Sequence, residues 1–291
     1  MRQKGFTVDV KPQITIRELK QIVGNYDALI VRSRTKLTAD AITLGKRLKA
    51  IGRVGVGLDN INLQVAATKS IEVFNSPEAS AEAVAELTIG LILSLARKIP
   101  FADQAMKEKK WIKKQMTGWL LEGKVLGLLG LGNIGLRVAG IAQVLGMKIL
   151  VTKRTPPEAE LLAELNGKYV SLSELLMQSD IVSIHIPLNE QTYHLIGEKE
   201  FNIMKNGAYL VNTARGAIVD ETALFEALQS GKLGGAALDV FEVEPPFESM
   251  ITQLSSVICT PHIGGQTIES QRKASIIIAE KISNHFRDKT S

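Results

Sequence analysis

Three polar side chains suited to proton and carboxylate chemistry each follow a short apolar run. Arg215 lies in Asn212-Thr213-Ala214-Arg215-Gly216, Glu244 in Asp239-Val240-Phe241-Glu242-Val243-Glu244-Pro245-Pro246, and His262 in Thr260-Pro261-His262-Ile263-Gly264-Gly265. An imidazole exchanges protons near neutral pH, and a guanidinium grips a carboxylate and polarises a carbonyl. A carboxylate beside the imidazole orients the ring and favours its charged form. Reducing a 2-keto acid needs this set: a cation for the carboxylate and an acid for the new alkoxide. Taken singly, each residue has a plainer reading as a surface arginine, a loop glutamate or a capping histidine. Of the other histidines, His185 in IVSIHIP reads as packed at a strand end, while His194 and His285 read as exposed.

A second constellation binds rather than reacts. Residues 124–136 read KVLGLLGLGNIGL, an apolar strand running into Gly130-Leu131-Gly132-Asn133-Ile134-Gly135. Between a strand and a helix, this spacing suits a dinucleotide. Gly130 permits the tight turn, Gly132 lets the backbone approach a pyrophosphate, and Gly135 allows close helix–strand packing. Asn133 and Ile134 open the helix, whose N–H groups accept the negative charge. A glycine turn without a ligand is the alternative. The next strand, Ile149–Thr152, should end in an acid for the adenosine ribose. Lys153-Arg154 follow it instead. Two cations there suit a 2′-phosphate, hence NADP or relaxed choice between NAD and NADP. The other reading turns both side chains into solvent.

These residues need a scaffold. Strands are predicted at 27–31, 49–52, 71–75, 125–130, 148–152, 181–186, 208–212, 236–240 and 257–259. Helical patterns such as 18–23, 38–44, 134–145, 172–178 and 221–229 lie between them. The alternation predicts an α/β fold: a Rossmann-type doubly wound parallel sheet with a second, smaller α/β domain. The boundary falls near Ser76-Pro77. Residues 1–76 form the small domain, 77–264 the nucleotide domain, and a C-terminal helix over 269–287 returns to the first, completing it with about 265–291.

The 291-residue length favours two domains. A single cysteine, Cys259, excludes an internal disulfide framework and suits a reducing compartment. Beside Thr260-Pro261 it reads as a small buried hydrophobe. No signal peptide is visible at 1–10, and the longest apolar stretch, 83–96, is too short for a bilayer. No membrane partner is expected, and the cytoplasm is the default location. Net charge is +5, with a basic cluster at 107–114, KEKKWIKK. It reads as a solvated helix with Trp111 turned inward. Without a second basic stripe or aromatic platform, nucleic acid is not expected. No metal ligand set is read.

The loops NTARG, DVFEVEPP and TPHIGG, in this order, resemble the signature of the D-2-hydroxyacid dehydrogenase family. Arg215 precedes Glu244 by 29 residues, and Glu244 precedes His262 by 18. The resemblance spans nearly the whole chain. It implies a flavodoxin-like fold for the smaller domain and His262 as proton donor and acceptor paired with Glu244. It also implies Arg215 on the substrate carboxylate and carbonyl, and Asp239 on the nicotinamide amide. Pro187, Thr213 and Ala214 would line the nicotinamide site, with Gly264 and Gly265 also on the cofactor side. Segments 29–38, LIVRSRTKLT, and 52–60, GRVGVGLDN, resemble the phosphoglycerate dehydrogenase branch. That implies Arg32 and Arg53 near a substrate phosphate, and the N–H groups of Val54, Gly55 and Val56 around a carboxylate. The plain alternative is that both arginines merely flank strands.

The implied substrate is 3-phospho-D-glycerate, with glyoxylate or hydroxypyruvate as the alternative and an NAD(H)-sensing co-repressor as a different class. A homodimer or homotetramer through 77–119 is implied. Val56 stands where this branch carries a hydroxyl. The small domain is expected to lack a first strand and helix ahead of Gly5–Val10, with the start downstream of the natural one. No C-terminal regulatory domain, and no serine feedback through one, is expected.

Overall fold

The computed structural model describes residues 1–288. The last three positions of the expected 265–291 segment lie outside the described residues. Ten strands run in chain order as β1 Ala28–Val31, β2 Ala50–Arg53, β3 Glu72–Phe74, β4 Val125–Leu129, β5 Lys148–Thr152, β6 Gly167–Tyr169, β7 Ile181–Ile184, β8 Ala208–Asn212, β9 Leu233–Leu238 and β10 Val257–Cys259. The helices are α1 Ile16–Ile22, α2 Ala39–Leu44, α3 Leu63–Thr68, α4 Ala81–Arg97, α5 Ile99–Lys107, α6 Asn133–Val144, α7 Ala159–Glu164, α8 Leu172–Gln178, α9 Glu198–Ile203, α10 Glu221–Gln229 and α11 Ile268–Asp288. The chain divides into two compact units, residues 1–81 with 265–291 and residues 82–264.

In the first unit β1, β2 and β3 form a parallel three-stranded sheet in that order. The first ten residues add no strand; Arg2–Lys4 make one 3-10 turn closed by Gly5 in the left-handed region. Thr15 and Glu18 form a capping box that fixes the start of α1. Helix α11 packs on β2, and Gly52 makes that approach possible. A Cβ there would collide with Ile278 and sit 2.7 Å from Ile282. Leu19, Val23, Ile42, Ile51 and Ile71 fill the core beneath the sheet.

The second unit is a seven-stranded, all-parallel sheet in the order β10-β9-β8-β7-β4-β5-β6. One core holds Leu175, Leu176, Phe201, Leu210 and Leu224. The other holds Ile92, Leu126, Leu128, Val138 and Ile149. Central strands buried on both faces explain the unbroken apolar runs in the sequence. Strand order reverses between β4 and β7, and the crevice beyond the strand ends at such a point receives ligands. Helix α4 buries Ala85, Ile92, Leu95 and Ala96 within this unit and exposes Glu82, Glu86 and Gly90. Among the described residues no helix is long and apolar enough to cross a membrane.

The basic cluster departs from expectation. Helix α5 ends at Lys107, where Lys109 adopts φ 60°. Lys110 N–H bonds Ala105 O at 2.8 Å and Lys109 N–H bonds Met106 O at 3.0 Å, a Schellman closure. Trp111 is therefore 79% exposed rather than turned inward. The inward indole is that of Trp119, whose Nε1 donates to the Tyr209 hydroxyl at 3.3 Å. Cys259 is also exposed, because it ends the edge strand β10.

Candidate active site

The glycine turn joins the end of β4 to α6 at the reversal of strand order. Gly130 has φ 102°, and a Cβ there would meet the His185 carbonyl oxygen at 2.5 Å. A Cβ on Gly135 would strike the Gly130 carbonyl oxygen, so helix and turn touch through backbone. Gly132 is different: nothing lies within 4 Å of where its Cβ would be. Gly130 and Gly135 are required by protein packing, and Gly132 leaves open space beside the N-terminus of the twelve-residue α6. Asn133 and Ile134 begin that helix, the former exposed. A pyrophosphate fits such a cradle, with the helix amides as donors.

At the end of β5, Lys153 is half-buried and Arg154 exposed. The Lys153 carbonyl accepts from the Tyr169 hydroxyl at 3.2 Å. Neither side chain has an ion-pair partner among the described residues. His185 follows β7 beside the glycine turn, where its ring contacts Ser183 Oγ at 2.9 Å. Burial pushes its pKa down to about 4, so it stays neutral near physiological pH.

Three loops at the carboxyl ends of β8, β9 and β10 carry the candidate residues Arg215, Glu244 and His262. Asn212 shapes the first: its side chain accepts from Ala214 N–H at 3.0 Å and donates to Arg215 O at 2.8 Å. Arg215 Nη1 donates to Ala214 O at 2.6 Å. Gly216 then presses on the second loop, since a Cβ there would overlap the Phe241 backbone. That close approach sets Arg215 beside the segment leading to Glu244. Thr213 is buried, with its hydroxyl 2.9 Å from that of Thr88 on α4. Pro187 is exposed, and its carbonyl accepts from Thr192 Oγ1 at 2.7 Å.

The third loop is built on Asp239, which is 1% exposed. Its Oδ1 accepts from Thr260 Oγ1 at 2.6 Å and Ile263 N–H at 2.8 Å. Its Oδ2 accepts from Gly264 N–H at 2.8 Å, and its backbone carbonyl from His262 N–H at 2.8 Å. These four bonds hold His262 in the left-handed region at φ 54°. Asp239 therefore frames the histidine loop and retains capacity mainly at Oδ2, and the Gly264 amide is already engaged. Gly265 belongs to the other compact unit.

His262 Nδ1 lies 2.8 Å from Glu244 Oε2 and 3.0 Å from Oε1. Both side chains remain about half exposed to solvent. Partial burial works to raise the Glu244 pKa but is outweighed. The His262 hydrogen bond and charge, the Phe241 amide at 3.3 Å and the Arg215 charge hold it below the usual carboxylate value. Glu244 is thus an anion facing an imidazole. With Nδ1 engaged, Nε2 is the ring atom left for proton transfer.

The proposed phosphate and carboxylate residues lie in the first unit. Arg32 is exposed and its Nη2 donates to Gln271 Oε1 at 3.1 Å. Arg53 Nη1 donates to Val54 O at 2.9 Å and is drawn over Gly55, where any Cβ would collide with the guanidinium. The expected amide cradle needs correction. Val54 N–H bonds Val31 O at 2.9 Å, extending the parallel ladder, and Gly55 N–H bonds Ser76 Oγ at 3.0 Å. Of the three amides, only that of Val56 is left for a ligand.

Two histidine expectations also change. His285 is half-buried with its ring 5.6 Å from Phe74 and 5.3 Å from Phe286. His194 is half-buried between Asp220 and Glu242. Sequence reading missed both contacts, and it missed Asn212, whose position at a strand end before Thr-Ala-Arg-Gly is an Asx-turn signal.

A doubly wound parallel sheet with this glycine turn, and an arginine, a glutamate and a histidine on the same rim, defines a nicotinamide-nucleotide-dependent oxidoreductase. Residues 89–264 match the family model described as "D-isomer specific 2-hydroxyacid dehydrogenase, NAD binding domain", and the chain belongs to that family. It is 49% identical over 268 residues to a hydroxypyruvate reductase of Thermotoga maritima, covering 91% of this chain and 86% of that protein. It is 43% identical over 285 residues to a D-3-phosphoglycerate dehydrogenase of Archaeoglobus fulgidus, covering 98% of this chain and 54% of that protein. The chain thus spans about half the length of that phosphoglycerate dehydrogenase. Among solved structures it resembles a D-lactate dehydrogenase from Aquifex aeolicus complexed with NAD and lactic acid. There the TM-score is 0.81 at 33% identity, covering 94% of this chain and 85% of that one.

Proposed function

We propose that the chain interconverts a D-2-hydroxy acid and its 2-keto acid, oxidising 3-phospho-D-glycerate to 3-phosphohydroxypyruvate at the entry to serine synthesis. The observation that carries the chemistry is the 2.8 Å contact between His262 Nδ1 and Glu244 Oε2. In oxidation, His262 Nε2 takes the hydroxyl proton while Glu244 stabilises the resulting imidazolium. Arg215 binds the carboxylate and polarises the oxygen at C2. A nicotinamide nucleotide held at the glycine turn would supply the acceptor for the hydride leaving C2. In reduction, His262 returns its proton to the new alkoxide. Gly130, Gly132, Gly135 and the start of α6 would hold the pyrophosphate. Asp239, Pro187, Thr213 and Ala214 would border the nicotinamide, and Lys153 and Arg154 would accept a 2′-phosphate.

The phosphorylated substrate is favoured by Arg32, an exposed cation whose partner is a neutral amide oxygen. Arginine's fork suits phosphate. The second reading, a glyoxylate or hydroxypyruvate reductase using NADPH, is favoured by the 49% identity to the Thermotoga relative of similar length. Assays of 3-phosphoglycerate oxidation, and of hydroxypyruvate and glyoxylate reduction, decide between them. The first reading expects Arg32→Ala with Arg53→Ala to lower phosphoglycerate efficiency by about tenfold or more. Unchanged phosphoglycerate turnover in that variant, or turnover of the unphosphorylated acids alone, assigns the second. A homodimer or homotetramer involving 77–119 is part of the proposal, to be read by light scattering.

A further inference from the structure

The His194 ring stands between two carboxylates that belong to the two loops carrying Arg215 and Glu244. Its Nε2 is 3.0 Å from Glu242 Oε1, and its Nδ1 is 3.8 Å from Asp220 Oδ2. Asp220 comes five residues after Arg215, and Glu242 two residues before Glu244. The Nε2 contact lies off the ring N–H direction, so it is a close polar contact rather than an aligned hydrogen bond.

The surrounding backbone holds this arrangement. His194 is in the left-handed region at φ 48°, and its N–H bonds Ala217 O at 2.9 Å. Ile196 N–H bonds Ile218 O at 3.1 Å, and Asp220 N–H returns to Ile196 O at 3.0 Å. The segment after Arg215 is thus laced to the His194 segment. On the other side Glu242 and Glu221 exchange bonds: Glu242 N–H to Glu221 Oε1 at 2.7 Å, and Glu221 N–H to Glu242 Oε1 at 3.0 Å. Ser249 Oγ donates to Glu221 Oε2 at 3.1 Å and fixes the far end of the Glu244 loop. Three carboxylates, those of Glu221, Glu242 and Asp220, therefore crowd one region. The ring set between Glu242 and Asp220 is that of His194.

We propose that His194 is a positioning residue that ties the Arg215 loop to the Glu244 loop and fixes the relative placement of the guanidinium and the His262–Glu244 pair. The ring touches no reacting atom. It acts through Asp220 on one loop and Glu242 on the other, standing between the two carboxylates and bridging the loops. The proposal rests on the reading that Arg215 and Glu244 serve the reaction, since only then does their relative placement matter for turnover.

The test combines kinetics with amide hydrogen exchange on the full chain. In His194→Ala, kcat for keto-acid reduction is expected to fall roughly 10- to 100-fold, as a loss of alignment does, with nucleotide affinity within about twofold of the parent. Exchange in segments 213–220 and 241–246 is expected to quicken together, by about tenfold. Asp220→Asn keeps the cap on α10 and Glu242→Gln keeps the acceptor for Glu221 N–H, while each removes a charge. Each should loosen the loops on its own and add little in the His194→Ala background. If His194→Ala does not fold, the two conservative variants carry the test. Unchanged exchange in both segments, or fully additive effects, overturns the proposal. Absence of any turnover in the parent protein would defeat the functional reading instead, and exchange would still decide the clamp.

Discussion

Glu244 and His262, eighteen residues apart in the chain, meet through Oε2 and Nδ1 at 2.8 Å. Four bonds to the buried Asp239 set the histidine's backbone. The Phe241 amide and the Gly216 contact set the glutamate's loop. The pair is therefore fixed from both sides before any ligand arrives, as proton transfer requires.

The Glu244 carboxyl is held below its usual value, so it stays ionised further into acid than an ordinary carboxylate. The sign follows: the pairing is complete above the normal carboxylate range and is lost only as pH falls through the lowered value. Keto-acid reduction by the parent enzyme should thus show no acid-side loss centred above pH ~4.5. Glu244→Gln should lower kcat by about 10- to 100-fold across the range. Steady-state pH profiles of both proteins provide the check, and a parent acid limb centred above that pH contradicts the assignment.

Gly132 and Gly135 separate binding from folding. A Cβ at 132 meets nothing, whereas one at 135 strikes the Gly130 carbonyl. Gly132→Ala should keep the parent Tm within a degree or two, about 0.5 kcal/mol, yet weaken nucleotide binding by about tenfold. Gly135→Ala should lose roughly 1–3 kcal/mol of stability. Thermal melts beside nucleotide fluorescence titrations measure both. Equal binding by Gly132→Ala and the parent protein would remove the pyrophosphate from this turn.

The cations after β5 set a coenzyme prediction. Replacing Lys153 and Arg154 together by alanine should lower the NADP-to-NAD ratio of kcat/KM by about tenfold, the worth of one or two charge-assisted phosphate contacts. A ratio that moves less than about twofold would mean that both side chains serve only the solvent boundary.

Cys259 is exposed, but partial burial and the nearby Glu221 push its thiol pKa up to about 11. A raised value means the thiol is protonated near neutrality and ionises only in strong base. Iodoacetamide labelling followed by mass spectrometry should be slower at pH ~7.5 than for a free thiol with pKa about 8.5, and should accelerate with pH. Rapid complete labelling near neutrality contradicts this.

Much of the scaffold was legible because buried parallel strands are short apolar runs, and the glycine turn because packing demands glycine at 130 and 135. Strand β6, Gly167–Tyr169, was not, since GKY carries no apolar pattern and lies at the sheet edge. Strand β9 begins at Leu233, earlier than predicted, because Gly234-Gly235 conceals its start. The end of α5 was hidden because Lys109, rather than glycine or asparagine, takes the left-handed position. In the site, the order of the Arg215, Glu244 and His262 loops was readable. The bonds that position them were not. Asp239 reaches His262 across 23 residues, and His194 reaches Asp220 and Glu242 across 26 and 48, distances at which sequence carries no periodic signal.

The central claim is that His262, oriented by Glu244, moves the proton that accompanies hydride transfer at C2 of a 2-hydroxy acid. The most direct measurement is single-turnover oxidation of bound NADPH or NADH by hydroxypyruvate and by 3-phosphohydroxypyruvate, in the parent protein and in His262→Ala. Reduction of at least one keto acid by the parent is expected, with a fall of roughly 10²- to 10⁴-fold in His262→Ala and nucleotide binding retained. An equal rate in the two proteins would contradict it.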